Sequence, residues 1–250
     1  MRSAPTKQHL LKALGSMLLL TVTTISVAQP PSVNAPPSAA ATAVRADAAG
    51  IAYMGAMVRP WHGSDIATFN DTVFATSRDH FLPWQHEDGT TYMRKIPWRY
   101  FVNGCYVRAE LFNRHLQEKL LEEPLQKLFI LQDHPEDSTE EFIEFHVTPI
   151  ARVGKDVLVL DPSLSPATPL PLDAYLDTLA TAAPNQPGSR ARMRIAVCSA
   201  DTFYDSHPCA GATPYPDKHL ALLARGFLNA EWNSEIEQGR DPLETLVNDR

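Results

Sequence analysis

Clusters of basic residues are missing from this chain of 250 residues. It has 22 Lys and Arg residues against 29 Asp and Glu residues, which gives a formal net charge of −7 at pH 7. Nucleic acids and anionic membranes are bound through dense positive patches that neutralise phosphates. The composition therefore argues against a nucleic-acid partner and against binding to an anionic membrane.

The motifs of several common enzyme classes are also missing. The sequence has no HExxH or CxxC motif for a metal, no GxSxG motif for a serine nucleophile, and neither a P-loop nor a GxGxxG loop for a nucleotide. The acidic run "DHPEDS" around His134 fits a solvated turn better than a metal site. We therefore expect neither a metal nor an organic cofactor.

Cysteine is scarce, and its number is odd. The chain has Cys105, Cys198 and Cys209. In an oxidising compartment two of them can pair, and Cys198 and Cys209 are the natural pair because they flank a short loop with Pro and Gly. That pairing leaves Cys105 as a free thiol, which is either a small buried packing residue or a nucleophile.

An apolar run that is short for a membrane-spanning helix is present near the N-terminus. Arg2, Lys7 and Lys12 precede it, and it ends at Ser26-Val27-Ala28. This order is typical of a secretory signal peptide, so we predict cleavage after Ala28 and a secreted or periplasmic protein with no stable membrane association. An uncleaved membrane anchor is the alternative.

The remaining chain divides at about residue 60. Residues 29–60 are rich in Pro and Ala in their first part, which predicts a disordered linker or a short pro-segment. Residues 61–250 are numerous enough for one domain with a sizeable core, and we expect a monomer.

Mixed periodicities in residues 61–250 predict an α+β fold, with an antiparallel sheet packed against helices. Residues 80–100 are predicted as a loop, because Pro83, Asp88-Gly89 and Pro97 interrupt them. The predicted helices cover about 65–78, 105–122, 171–181 and 217–238, and the predicted strands are "LQKLFILQ", a hairpin that turns at Gly154-Lys155, and "RMRIAVCS".

Cys105 lies where a predicted loop becomes a helix. The first turn of a helix has unpaired N–H groups and a positive dipole end, and both favour a thiolate. Asn103 can cap this helix, and Gly104 leaves room for a substrate.

His146 and Asp161 supply the base and the acid that a cysteine nucleophile needs. His146 alone among nine His residues lies in the middle of a strand-like run. A two-residue turn at Gly154-Lys155 places Asp161 one diagonal step from His146 on the same face of the hairpin. A structural His and an ordinary turn Asp are the alternative, but together with Cys105 the pattern predicts a Cys–His–acid triad.

Three stretches resemble the bacterial secreted protein-glutaminases, which are protein-deamidating enzymes. "NGCYVRAE" is similar to the family's nucleophile motif, an acidic residue followed by Gly-Cys-Tyr-Ala-Arg-Ala-His, and "EFHVTPI" and "VLDPSL" are similar to its His strand and its Asp-Pro-Ser-Leu motif. Asn103 replaces the acidic residue and Glu110 replaces the His. The family's long inhibitory pro-region is not evident, and residues 29–60 are the part that could take its place.

The resemblance implies catalytic roles for Cys105, His146 and Asp161 in a papain/transglutaminase-like core. It also implies conversion of Gln to Glu plus ammonia, through a thioester, in protein or peptide substrates with accessible Gln. A cysteine peptidase or a transglutaminase could use the same triad. A non-catalytic envelope binding protein is the alternative of a different class.

Overall fold

The computed structural model describes residues 43–62, 65–101, 103–120, 124–132, 145–182, 190–203, 209 and 216–246. The predicted signal peptide and residues 29–42 of the predicted linker lie outside the described residues. Within the described parts of the chain, no helix is long and apolar enough to cross a membrane.

A six-stranded antiparallel sheet forms the centre of the described structure. Its strands lie in the order β1-β8-β4-β5-β6-β7, and a separate two-stranded sheet pairs β2 with β3. The strand bounds are β1 Val44–Arg45, β2 Phe81–Gln85, β3 Thr91–Lys95, β4 Gln126–Gln132, β5 Phe145–Val153, β6 Asp156–Val159, β7 Leu170–Pro171 and β8 Met193–Cys198.

Helices cover both faces of this sheet, which confirms the predicted α+β class. Short 3₁₀ helices at Arg190–Arg192 and Pro242–Thr245 complete the set of described helices, and a π turn at Asn70–Phe74 joins α2 to α3. The α-helices are α1 Ala48–Met57, α2 Ile66–Phe69, α3 Ala75–Arg78, α4 Cys105–Lys119, α5 Leu172–Ala182 and α6 Asp217–Glu237.

Strand alternation assigns each apolar residue to one of two layers. Phe129, Val147 and Ala196 are neighbours across β5, β4 and β8 and pack with Cys105 and Ala109 of α4. Strand residues whose side chains point to the opposite face of the sheet pack with α1 and α5. That cluster includes Leu128, Ile130, Ile150, Ile195, Met54 and Tyr175. The sheet is therefore buried on both faces, with α4 on one side and with α1 and α5 on the other.

The predicted hairpin at Gly154-Lys155 is confirmed. Val153 pairs with Asp156, and Ile150 pairs with Val159, as a two-residue turn requires. Gly154 has a φ of 62°, in the left-handed region that such a turn needs and that glycine adopts without strain.

The described part of the predicted linker is folded. Val44 of β1 pairs with Ile195 of β8, and Met54 of α1 is fully buried. An added Cβ at Gly50 would lie 1.9 Å from the carbonyl oxygen of Arg45, so small residues allow this segment to turn back and lie close to the sheet. The scarcity of large apolar residues in this segment favoured the prediction of a disordered linker. In the structure, close packing of Ala and Gly takes the place of large apolar side chains.

Residues 80–100 differ from the predicted loop because β2 and β3 form a hairpin. Pro83 is tolerated in a two-stranded sheet, where each strand has an open edge that needs no donor. The hairpin is fixed to α6 by Arg94, which is fully buried and donates to the carbonyl of Leu228 at 2.6 Å and to Glu231 at 2.7 Å.

Candidate active site

Gly104 determines how the chain enters α4. It is the N-cap residue, with a φ of 79° and no side-chain cap, while the Asn103 side chain accepts a hydrogen bond from the Gly104 amide at 2.7 Å. The prediction that Asn103 caps the helix is therefore wrong. An added Cβ at Gly104 would lie 2.9 Å from ring atoms of Phe227 on α6. Glycine is therefore required both by the left-handed backbone and by the lack of space for a side chain.

Cys105 is the first residue of α4, and its side chain is buried beside the start of β5. The predicted disulfide between Cys198 and Cys209 is confirmed, with 5.0 Å between their Cα atoms, and Cys105 is the free thiol. The amide groups of the first helical turn have no acceptors within the helix, so donors surround the position where the thiol lies.

His146 and Asp161 are brought together by the hairpin, as the register arithmetic predicts. Beyond the end of β6, the Leu160 amide still donates to the Pro149 carbonyl at 2.9 Å. This extension brings Asp161 next to His146, and 2.7 Å separates His146 Nε2 from Asp161 Oδ2. The two side chains are buried, with 4% and 3% of their residue surfaces exposed.

The Asp161 carboxylate is surrounded by donors. The Ser163 amide donates to Oδ1 at 3.0 Å, the Ser163 hydroxyl also donates to Oδ1, and the Tyr175 hydroxyl donates to Oδ2 at 2.7 Å. Burial acts to raise the pKa of Asp161, but the hydrogen bond and charge of His146, with help from Ser163 and the Arg108 charge, hold it well below its usual range. Asp161 is therefore an ionised acceptor.

The Cys105 thiol and the His146 imidazole interact electrostatically, as the opposite shifts of their pKa values indicate. Because Nε2 faces Asp161, Nδ1 is the ring nitrogen left for the sulfur. Burial acts to lower the pKa of His146, but its bonds to Asp161 and Cys105 raise it to about 9. Burial acts to raise the pKa of Cys105, yet His146, Arg108 and the Val147 backbone lower it on balance. These directions favour a thiolate–imidazolium pair.

Arg108 is a charged side chain near this cluster that sequence reasoning missed. It follows Cys105 by about one helical turn, is 2% exposed, and donates from Nη1 to the carbonyls of Tyr100 and Asn103 at 2.7 and 2.6 Å. The sequence indicates Arg108 through its spacing of about one helical turn from Cys105, which places both side chains on neighbouring positions of the helix surface. Arg108 fixes the loop that delivers the chain to the thiol and adds positive charge near it.

Glu110 has a structural role. Its carboxylate lies 2.6 Å from Lys127 Nζ and 2.8 Å from Arg114 Nε, and Lys127 also donates to the Thr202 carbonyl at 2.7 Å. Lys127 is fully buried, so Glu110 is the acid that compensates its charge. This ion pair joins α4 to β4, and it explains why an acidic residue stands at the last position of the motif "NGCYVRAE".

A surface cavity of about 1360 Å³ lies between α4 and α6, but Cys105, His146 and Asp161 are not among its lining residues. Among the described residues, no group of three or more His, Cys, Asp or Glu side chains could hold a metal ion. The chemistry that the cluster itself can perform is nucleophilic attack by sulfur, with proton transfer by the imidazole.

Three solved structures are similar at low identity. A protein-glutaminase crystal structure gives a TM-score of 0.44 at 17% identity, over 64% of this chain and 83% of the other. A pro-protein-glutaminase crystal structure gives 0.48 at 16%, over 72% and 67%. The NMR structure of protein-glutaminase from Chryseobacterium proteolyticum gives 0.43 at 18%, over 67% and 83%.

A family model described as glutaminase matches residues 71–179. No curated protein matches the chain. The family match confirms the predicted resemblance and the prediction of an enzyme that acts on glutamine. The segment that matches the glutaminase family model, residues 71–179, contains Cys105, His146 and Asp161.

Proposed function

We propose that this protein hydrolyses the side-chain amide of glutamine in protein or peptide substrates, through a catalytic triad of Cys105, His146 and Asp161. The observation that carries the proposal is the 2.7 Å contact between His146 Nε2 and Asp161 Oδ2, together with the electrostatic coupling of His146 to the Cys105 thiol, inside the matched segment. The raised pKa of His146 and the lowered pKa of Cys105 support an active thiolate.

In the acylation step the Cys105 thiolate attacks the carboxamide carbon of the substrate. The carbonyl oxygen gains negative charge and accepts hydrogen bonds from amides in the first turn of α4, including that of Cys105. The C–N bond then breaks as the His146 imidazolium gives its proton to the departing ammonia. A thioester between Cys105 and the substrate side chain remains.

In the deacylation step neutral His146 takes a proton from water, and the hydroxide attacks the thioester carbon. The C–S bond breaks, glutamate leaves, and the thiolate–imidazolium pair is restored. Asp161 keeps the imidazole in the tautomer that presents Nδ1 to the sulfur and stabilises the imidazolium. No cofactor takes part in either step.

Narrow access to Cys105 favours a side-chain amide of glutamine. The sulfur is buried, with 7% of the residue exposed, so the carboxamide must reach inward on its two-methylene stem. The stem of asparagine is one methylene shorter, and a misplacement of about 1 Å can cost about 10²-fold in rate. We therefore expect a strong preference for Gln over Asn.

The proposal also includes the setting of the enzyme. Cleavage after Ala28 releases a monomer that acts in the periplasm or outside the cell on proteins with accessible Gln, with no stable membrane association and no nucleic-acid partner. The core around the triad is proposed to be papain/transglutaminase-like. Because residues 43–60 contribute β1 and α1 to the described structure, the catalytic domain is proposed to begin before residue 61.

The testing experiment incubates the mature protein with a Gln-rich protein and follows ammonia and intact mass together. Each turnover should release one ammonia and add about one dalton, with no new chain termini. Cys105→Ala should abolish turnover, His146→Ala should be nearly as severe, and Asp161→Asn should leave residual activity after a loss of up to about 10⁴-fold.

His86→Ala is the matched control, because the ring of His86 packs against Trp84, Tyr92 and Trp232 and not against the triad, and it should keep full activity. New termini would indicate a peptidase, and lysine crosslinks with ammonia but no glutamate would indicate a transglutaminase. Absence of any turnover would favour a binding protein.

A further inference from the structure

We propose that Tyr175 is a positioning residue that holds the Asp161 carboxylate in place and moderates its pull on His146. The inference rests on the proposed function of the triad. Tyr175 Oη donates to Asp161 Oδ2 at 2.7 Å, and His146 Nε2 lies 2.7 Å from the same oxygen. One carboxylate oxygen therefore serves both the imidazole and the phenol.

The hydroxyl of Tyr175 is not needed for packing. Its ring is fully buried on α5 among apolar residues, with Leu172, Leu176 and Leu179 on the same helix. Phenylalanine would fill the same space, and a buried hydroxyl is costly unless it is hydrogen-bonded. The bond to Asp161 is thus what makes tyrosine suitable at this position.

Tyr175 can act only as a donor at this site. Burial and the charge of Asp161 raise the pKa of its phenol well above the usual value, so the group stays protonated. Ser163 holds Oδ1 of the same carboxylate through its amide and its hydroxyl. Donors on both oxygens fix the plane of the carboxylate and aim Oδ2 at His146 Nε2.

The same donor competes with His146 for the negative charge of Asp161. Without the Tyr175 hydroxyl, the carboxylate concentrates its attraction on the imidazolium, which then holds its proton more tightly. An imidazolium with a higher pKa stabilises the Cys105 thiolate but gives its proton to the departing ammonia less readily. The charged groups that act on this cluster are Cys105, His146, Asp161 and Arg108.

Tyr175→Phe tests the inference, because it removes one oxygen and keeps the ring. We expect kcat to fall about 10-fold to 100-fold with KM little changed, since a bond to a charged group is lost while the substrate contacts remain. Tyr53→Phe is the control, because Tyr53 lies on α1 with 57% of its surface exposed, and it should behave as the wild type.

The pH dependence of Cys105 alkylation and of kcat/KM distinguishes a positioning role of Tyr175 from a general loosening of the buried site. The midpoint of Cys105 alkylation by iodoacetamide should move to lower pH in Tyr175→Phe, and the alkaline limb of kcat/KM should move to higher pH. Loosening that admits water would return both groups towards their ordinary pKa values, which reverses both directions. Tyr175→Met also lacks the hydroxyl and provides a second variant with the same expected shifts.

Asp161→Asn makes the two hypotheses distinguishable. In that background Tyr175→Phe should reduce kcat by less than about twofold, because both changes act on one bond network. Unchanged kcat and unchanged pH limbs in Tyr175→Phe, with Asp161→Asn strongly impaired, would overturn this inference alone. Full activity in Asp161→Asn would instead overturn the proposed triad.

Discussion

Replacement of Gly104 by Ala perturbs both the backbone and the packing in front of Cys105. The residue has a φ of 79°, and an added Cβ would lie 2.9 Å from ring atoms of Phe227. A left-handed backbone costs an alanine about 1–2 kcal/mol, and an overpacked contact costs about 1–3 kcal/mol more. We expect Gly104→Ala to lower the free energy of unfolding by about 2–5 kcal/mol.

Gly154→Ala is the matched control for the backbone contribution. Gly154 has a φ of 62° in the β5–β6 turn, and no atom lies within 4 Å of the position that its Cβ would take. Only the strain of about 1–2 kcal/mol should remain there. The difference between the two variants in urea unfolding then measures the contact with Phe227.

Activity should separate the two variants further. A shift of the first turn of α4 carries Cys105 with it, and a displacement of about 1 Å can cost about 10²-fold in rate. Gly104→Ala should therefore lose activity strongly, while Gly154→Ala should not. Adding Phe227→Leu to Gly104→Ala should recover part of the lost stability. Equal losses of stability in the two Gly variants would refute the role given to Phe227.

Three further predictions concern charged groups. Arg94→Met should lower the free energy of unfolding by about 3–5 kcal/mol, because it leaves buried Glu231 unpaired, and urea unfolding measures this loss. Arg108→Met should move the alkylation midpoint of Cys105 to higher pH, because its charge lowers the pKa of that thiol. Burial, aided by the charge of His115, lowers the pKa of His80 to about 4 from 6.5. As the pH falls, the unfolded chain therefore binds a proton at this residue before the folded chain does. The free energy of unfolding should decrease as the pH drops from about 6.5 to about 4. His80→Phe should flatten that fall in a series of melts, and an unchanged slope would contradict it.

The site was predictable where one rule determined the geometry. A two-residue turn at Gly154-Lys155 fixes the register, and register fixes which side chains share a face, so the sequence alone was enough to pair His146 with Asp161. The disulfide followed from an odd cysteine count in a chain predicted to be exported, together with a short loop. The start of α4 at Cys105 followed from the breakers that precede it.

The remainder depended on contacts between distant residues. Tyr175 had no local signal, because only the fold brings α5 under the Asp161 carboxylate. The β2–β3 hairpin was obscured by Pro83, which an isolated two-stranded sheet tolerates. Residues 43–60 lack the large apolar side chains that predict burial, although their small residues allow close approach to the sheet. Composition alone therefore underestimated how much of the chain folds.

The central claim is that a Cys105 thioester carries the deamidation, and acid-quench mass spectrometry of the enzyme with a Gln peptide tests it most directly. A transient adduct with the mass of the peptide less ammonia should map to the fragment that contains Cys105, and it should form at the rate of the first ammonia released. His146→Ala should form little of this adduct. Ammonia release at the full wild-type rate with no adduct on Cys105, or with an adduct on another residue, would contradict the account.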